Sequence, residues 1–201
     1  MVQRLQLVDY DEVCISNFNR QLHGLKENIG ITKVEALKKR FEQINPSIEI
    51  MAIEDFYSPD NSDEILSNSD IVVDAIDTFS AKCHLIRTCK EKAIPLVVAG
   101  SAGGKTDPTQ IHICDLARTK NDPLLQNIRK RLRRDYAFPR NKRKFKISAV
   151  YSEELPQWFA TCEKPKGSLD CESGYGTATY ITGSFGFFCA YEALRLATSE
   201  S

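Results

Sequence analysis

Seven cysteines are spread through 201 residues without a single Cys-x-x-Cys pair. That absence argues against a structural zinc knuckle, because tetrahedral sites of that kind draw on short-spaced thiolate pairs. The odd count and irregular spacing offer no disulfide framework, and the opening MVQRLQLVDY holds no basic-then-apolar leader. The expectation is a reducing compartment, the cytoplasm. Net charge is missing as well, since 27 Lys+Arg balance 27 Asp+Glu, and there is no internal repeat. Most telling is a missing turn. The strand-like run LVDYD (7–11) ends in acidic residues, as strands that hold a ribose do, yet only MVQRLQ precedes it. A glycine-rich phosphate turn normally lies about twenty residues ahead of such an acid.

What is present is ordinary globular composition, 42% hydrophobic and 27% charged, enough for one domain with a sizeable core. Apolar runs alternate with helical patterns. Leu5 to Asp9, Ile48 to Ile53, Ile71 to Ala75 and Leu96 to Gly100 read as strands, while Thr32 to Asn45 and Ser80 to Lys92 read as amphipathic helices, with a short helix after Ser58-Pro59-Asp60. Strand and helix in turn predict an α/β fold, a Rossmann-like and mainly parallel sheet with helices on both faces. Further on, Thr109 to Asp115 alternates with period two, a basic helix runs from Asp122 to about Tyr136, Lys144 to Ser152 suggests another strand, and residues 153–170 form an exposed loop. The domain divides into a nucleotide-binding part (1–115), a basic helix and loop (116–152), and a crossover loop with a C-terminal helix (153–201).

Three stretches carry chemical suggestions of their own. AGSAGGKT (99–106) matches a phosphate loop if alanine replaces its first glycine, with Lys105 on the phosphates and Thr106 on magnesium. Such a loop must open a helix, whereas Asp107-Pro108 here leads into the β-alternating TQIHICD, so a glycine-rich strand connection is the better reading. Residues 129–146, RKRLRRDYAFPRNKRKFK, carry ten of the 27 Lys+Arg against Asp135 alone, a net +9. Arg129, Lys130, Arg131, Arg133, Arg134, Arg140, Lys142, Arg143 and Lys144 are candidates for nucleic-acid phosphates, with Tyr136, Phe138 and Phe145 offering rings for stacking; a solvated basic helix is the plainer alternative. Residues 173–191 run 19 residues without a charge. That length spans a bilayer, but the glycines and hydroxyl residues within it favour a buried helix packed on a sheet.

Taken together, LVDYDEVCISNFNRQ (7–21), GITKVEA (30–36), INPSIEI (44–50), VVDAIDT (72–78) and IPLVVAGSAGG (94–104) resemble the adenylating domain shared by ubiquitin-activating enzymes and their bacterial relatives. DPTQIHICDLARTKNDPL (107–124) and LDCESGYGTAT (169–179) are similar to one branch of it, the tRNA threonylcarbamoyladenosine dehydratases. That resemblance implies a homodimeric, ATP-dependent enzyme that adenylates the threonyl carboxylate of the modified adenosine in tRNA and expels AMP on cyclisation. It places Asp9 on the ribose hydroxyls with Asp11 supporting the loop, Asn17, Arg20, Gln21 and Lys33 at the ATP phosphates, and Asp77 on Mg. Arg20 and Asp77 carry the catalytic roles. Asp74 is expected to support its loop.

Cys171, beside Lys164 and Lys166, matches the position of a nucleophilic cysteine elsewhere in the superfamily, but the carbamoyl group of the substrate can itself attack the activated carboxylate, which favours a packing or substrate-loop role. Cys14 and Cys162 have weaker claims. A cysteine desulfurase or sulfur-acceptor helper stays open as a partner. Each of these side chains also has a plain reading as a turn cap or surface charge. Against the family pattern the chain reads as N-terminally truncated, lacking the glycine-rich βα unit; the expectation is then a bare β edge at Leu5 to Asp9 and weakened ATP binding. Two other functions stay open: an activator of a ubiquitin-like or sulfur-carrier protein, and a catalytically impaired tRNA-binding remnant.

Overall fold

The structure is a computed structural model and describes residues 2–141, 143–157 and 176–198. Its contacts fall into two compact units, residues 1–61 and 62–201. In the first unit, β1 (Arg4–Val8) pairs in parallel with β2 (Glu49–Ile53), Leu5 opposite Ile50 and Val8 opposite Ile53. The connection is α1 (Lys33–Ile44), which buries Val34 and Ala36. This helix stops where the sequence requires it to. Asn45 adopts φ −139° and ψ 95°, the extended conformation that the ring of Pro46 imposes on the residue before it.

The second unit opens with a short helix, α2 (Ser62–Leu66). Its sheet holds β3 (Val72–Asp74), β4 (Leu96–Ala99), β5 (Ile111–Asp115) and β6 (Ser148–Ser152) in the order β3-β4-β6-β5. β3, β4 and β6 run parallel, and β5 closes the edge antiparallel to β6. α5 (Thr179–Thr198) covers one face, where Ile181, Phe185 and Cys189 pack on Val97, Ile111 and Val150. Val98, the next residue along β4, points to the opposite face and is equally inaccessible, both valines being 0% exposed. α3 (Phe79–Glu91) packs on β3 and β4, and α4 (Pro123–Asp135) packs on α3. A parallel sheet buried on two faces explains why its central strands read as unbroken apolar runs rather than alternating ones.

The α/β reading and the order of elements hold, with four corrections. The described strands lie in two sheets, not one. The expected strand from Lys144 begins only at Ser148, because the Asp115 carboxylate accepts the N–H groups of Phe145 (2.9 Å) and Lys146 (2.7 Å) and turns the chain, Lys146 taking φ 58°. The expected strand at Thr109 begins at Ile111, after a 3₁₀ turn at Pro108–Gln110 capped by Asp107. Among the described residues of the charge-free segment the helix begins at Thr179, and it is buried on one face: Phe187 is 77% and Tyr191 62% exposed. Among the described residues no helix is long and apolar enough to cross a membrane.

Candidate functional site

The first unit gathers the acidic strand end and the helix that follows it. Asp9 stands just past β1, at the carboxyl end of the parallel pair, where ligands of open α/β sheets bind. Its Oδ1 accepts the N–H of Asp11 at 2.8 Å, a local turn that short carboxylates favour. Asp11 in turn is joined to Lys33 twice: its carbonyl accepts the Lys33 N–H at 2.8 Å, and its Oδ2 lies 2.6 Å from Lys33 Nζ. Lys33 is thereby fixed at the start of α1 beside the acidic loop. Asn17 is buried and uses its Oδ1 on the Cys14 N–H at 3.1 Å, while its carbonyl accepts the N–H groups of Arg20 and Gln21; it shapes the turn that carries both. Arg20 Nη1 donates to the Ser16 carbonyl and to Asn19 Oδ1.

Two features here, the buried His23 beside Gln21 and an exposed ring pair, were not singled out in the sequence. Buried polar atoms of Gln21 (Oε1) and His23 (Nε2) have no hydrogen-bond partner among the described residues. Burial, reinforced by Lys33 and opposed by Asp9, holds the His23 imidazole below its usual range, so it is neutral near pH 7. Tyr10 and Phe56, 57% and 60% exposed, stand with ring centroids 4.9 Å apart beyond the ends of β1 and β2. The signal available for His23 is only its place two residues after Asn-x-x-Arg-Gln; for the ring pair there is none, since the two are brought together by strand register.

In the second unit, Asp77 is exposed on the loop between β3 and α3, its Oδ1 3.5 Å from Thr78 Oγ1. An exposed carboxylate of this kind suits Mg²⁺, which takes one or two protein oxygens and completes its shell with water and phosphate. No group of three His, Cys, Asp or Glu able to hold a metal occurs among the described residues, so an all-protein cage does not arise there. Asp74 is buried, as expected of a loop support: its Oδ1 accepts the Ile76 N–H at 3.0 Å and lies 3.0 Å from Nζ of Lys82, which is 0% exposed. Lys82 was missed, because a lysine on an amphipathic helix reads as a solvated charge until the fold buries it.

The glycine-rich stretch is a structural knot, in line with the rejection of the phosphate-loop reading. Lys105 is 2% exposed and its ammonium donates to the carbonyls of Asn121 (3.2 Å) and Glu154. The Glu154 carboxylate accepts the N–H groups of Thr106 (2.8 Å) and Asp107 (3.0 Å) and the Thr106 hydroxyl (2.8 Å). Neither Lys105 nor Thr106 is open to a triphosphate.

The basic segment separates into inward and outward cations. Arg129 Nη1 donates to Thr119 Oγ1, Arg131 lies 5.3 Å over the Phe79 ring, and Arg133 lies 5.0 Å over Phe145. Arg134 pairs with Asp135 at 2.6 Å, and Arg140 reaches the Arg133 carbonyl at 3.4 Å. Lys130, Arg143 and Lys144 are exposed. Two of the three rings offered for stacking are withdrawn: Phe138 and Phe145 are 7% and 1% exposed and pack edge-on against each other at 5.0 Å, because they close the core beneath α4. Tyr136 is half-buried, 5.6 Å from the Arg87 guanidinium. Lys142, Cys162, Lys164, Lys166 and Cys171 lie outside the described residues.

Comparison with known proteins gives relatives along nearly the whole chain. The profile of the ThiF family matches residues 2–200. The tRNA threonylcarbamoyladenosine dehydratase of Escherichia coli (strain K12) is 42% identical over 203 aligned residues, which cover 95% of this chain and 75% of that protein. Its counterpart in Haemophilus influenzae is 44% identical over 192 residues, covering 93% and 73%. Among solved structures, that of the E. coli tRNA N6-threonylcarbamoyladenosine dehydratase in complex with ATP superposes with a TM-score of 0.88 at 38% identity, over 98% of this chain and 76% of that one.

Proposed function

The chain belongs to the ThiF family, and from that premise we propose that it is an ATP-dependent tRNA threonylcarbamoyladenosine dehydratase. The threonyl carboxylate attacks the α-phosphorus of ATP and pyrophosphate leaves; the carbamoyl group of the same substrate then attacks the acyl carbon, AMP departs, and the ring closes. The net change in the nucleoside is loss of one water, its oxygen leaving on AMP. The observation that carries this reading is identity of 42 to 44% to two such dehydratases across nearly the whole chain.

Within it, Asp9 takes the ribose hydroxyls, since a carboxylate accepts both protons. Lys33 approaches the phosphates without abandoning Asp11, because an ammonium has three donors. Arg20 and Gln21 meet the triphosphate, where a guanidinium fork stabilises the charge that develops on α-phosphorus and pyrophosphate. Asp77 is assigned the Mg²⁺ that accompanies ATP and withdraws charge from its phosphates. The outward cations of the basic segment, Lys130, Arg143 and Lys144, meet tRNA phosphates. In this reading residues 1–201 act as a single adenylating domain, in the cytoplasm, as a homodimer, with a cysteine desulfurase or sulfur-acceptor helper as a candidate associate. Pyrophosphate release from ATP tests it. Release that requires tRNA bearing threonylcarbamoyladenosine supports the dehydratase; release that requires a ubiquitin-like carrier tail replaces it with a carrier activator; none with either leaves a tRNA-binding remnant.

A further inference from the structure

The loop from Asp74 to Thr78 is folded around one ammonium group. Lys82 Nζ, on the first turn of α3 and 0% exposed, lies 3.0 Å from Asp74 Oδ1, 2.9 Å from the Ile76 carbonyl and 3.4 Å from the Asp74 carbonyl. Asp74 Oδ1 also takes the Ile76 N–H at 3.0 Å. Among the described residues every acceptor of the buried lysine therefore belongs to the segment just ahead of Asp77, and the carbonyl of Ile76 is one end of the peptide that sets where Asp77 begins. Stability alone is a poor reason for this pair. Asp74 Oδ2 is buried without a hydrogen-bond partner among the described residues, and an apolar pair of similar volume is commonly as stable as a buried ion pair.

We propose that Asp74 and Lys82 are positioning residues for Asp77: the buried pair holds the Ile76 peptide so that the Asp77 carboxylate projects from the carboxyl end of β3 toward a metal-bound triphosphate. This rests on the role proposed above for Asp77. Neither residue touches the ligand. The pair acts on direction, as partners behind metal ligands do, and such partners are worth roughly 10- to 100-fold in metal affinity.

The test uses the full chain with Asp74→Asn and Lys82→Met together, which removes both charges, keeps the volume and leaves no lone buried charge, so that folding survives. Two readouts are taken beside thermal unfolding. Calorimetry of ATP with Mg²⁺ and with EDTA gives the metal-dependent gain in affinity, and hydrogen exchange follows the amides of Ile76, Asp77 and Thr78. The expected result is a loss of roughly tenfold or more in the metal-dependent gain, with affinity in EDTA unchanged and exchange of the three amides faster. A double variant that keeps the gain and the wild-type exchange rates overturns the proposal. Asp77→Ala separates the two ideas. If it leaves the gain intact, the role assigned to Asp77 fails, and the exchange rates alone decide: faster exchange upholds the positioning of this loop, unchanged exchange overturns it.

Discussion

Replacing Gly100 by alanine tests whether the joint between β4 and α4 is as tight as its geometry implies. A Cβ built on Gly100 falls 2.3 Å from Asp122 Oδ2, 3.1 Å from Leu125 Cδ1 and 3.2 Å from the Val150 carbonyl. The backbone has no room to retreat, since the Gly100 N–H donates to that same carbonyl at 2.8 Å, so the carboxylate must yield. Asp122 is 2% exposed, caps α4 through Oδ1 on the Leu125 N–H (2.9 Å), and holds the Ser101 N–H through Oδ2 (2.8 Å). Loss of the cap costs about 1 kcal/mol, and loss of a hydrogen bond to a charged acceptor about 1.5–3 kcal/mol. A total of about 2.5–4 kcal/mol lowers Tm by roughly 5–16 °C in a chain of this size. The assay is thermal unfolding of Gly100→Ala, Asp122→Ala and the double variant; once the carboxylate is gone the alanine meets less, so the double costs less than the sum. Gly183 serves as the contrast. It sits inside α5, where an added Cβ would meet nothing within 4 Å, and alanine there stabilises by about 0.5–1 kcal/mol. A Gly100→Ala protein that melts with the wild type, or strict additivity with Asp122→Ala, refutes the steric argument.

Acid should unfold the protein through carboxylates held below their usual range. Arg195 and then the Ser148 hydroxyl lower Glu192, while for Glu154 the backbone donors at Asp107 and Thr106 outweigh the upward push of burial. Groups with depressed folded values stabilise fully above the unfolded value of about 4.5 and lose that contribution as pH falls through the folded one; these carboxylates should leave Tm unchanged from pH 7 to 5 and lower it below 4.5, with a shallower acid slope in Glu192→Gln. The depressed His23 imidazole, which the unfolded chain protonates first, separately costs stability as pH falls below about 6.5. For tRNA, single replacement of Lys130, Arg143 or Lys144 by alanine should weaken binding and reduce the slope of log affinity against log salt by about 1 each. Arg133→Ala should instead lower Tm, through the lost contact with Phe145. Cys171→Ser should retain tRNA-dependent pyrophosphate release and cyclisation within about tenfold, whereas removing a covalent nucleophile costs several orders of magnitude.

The readable part of the sequence was the part governed by local rules. Period located α1, α3 and α4 to within a residue or two, and Asp107-Pro108 told a strand connection from a phosphate loop, because each of these signals acts over a short stretch of chain. The order of motifs from Asp9 to Asp77 was enough to identify the family, as ordered blocks at fixed spacing are more specific than any one of them. Other features were not legible for a common reason. Lys82 looks like a solvated charge in the sequence, Lys105 like one residue of a glycine-rich connection, and Phe138 and Phe145 like stacking rings among arginines, because burial belongs to the assembled layers and not to the residue. The Asp115 carboxylate, thirty residues from the amides it turns, delayed β6 by a contact that no window of sequence contains.

By itself, then, the sequence determined the alternation of strand and helix, the family, and which acids and cations stand at element ends, since propensity, spacing and chain direction are properties of neighbours along the chain. Only the tertiary structure decided which charges became interior. A lysine ammonium is removed from water only when distant carbonyls and carboxylates close around it, as the Asp74 loop does around Lys82, and that enclosure exists only once β3 and α3 have packed.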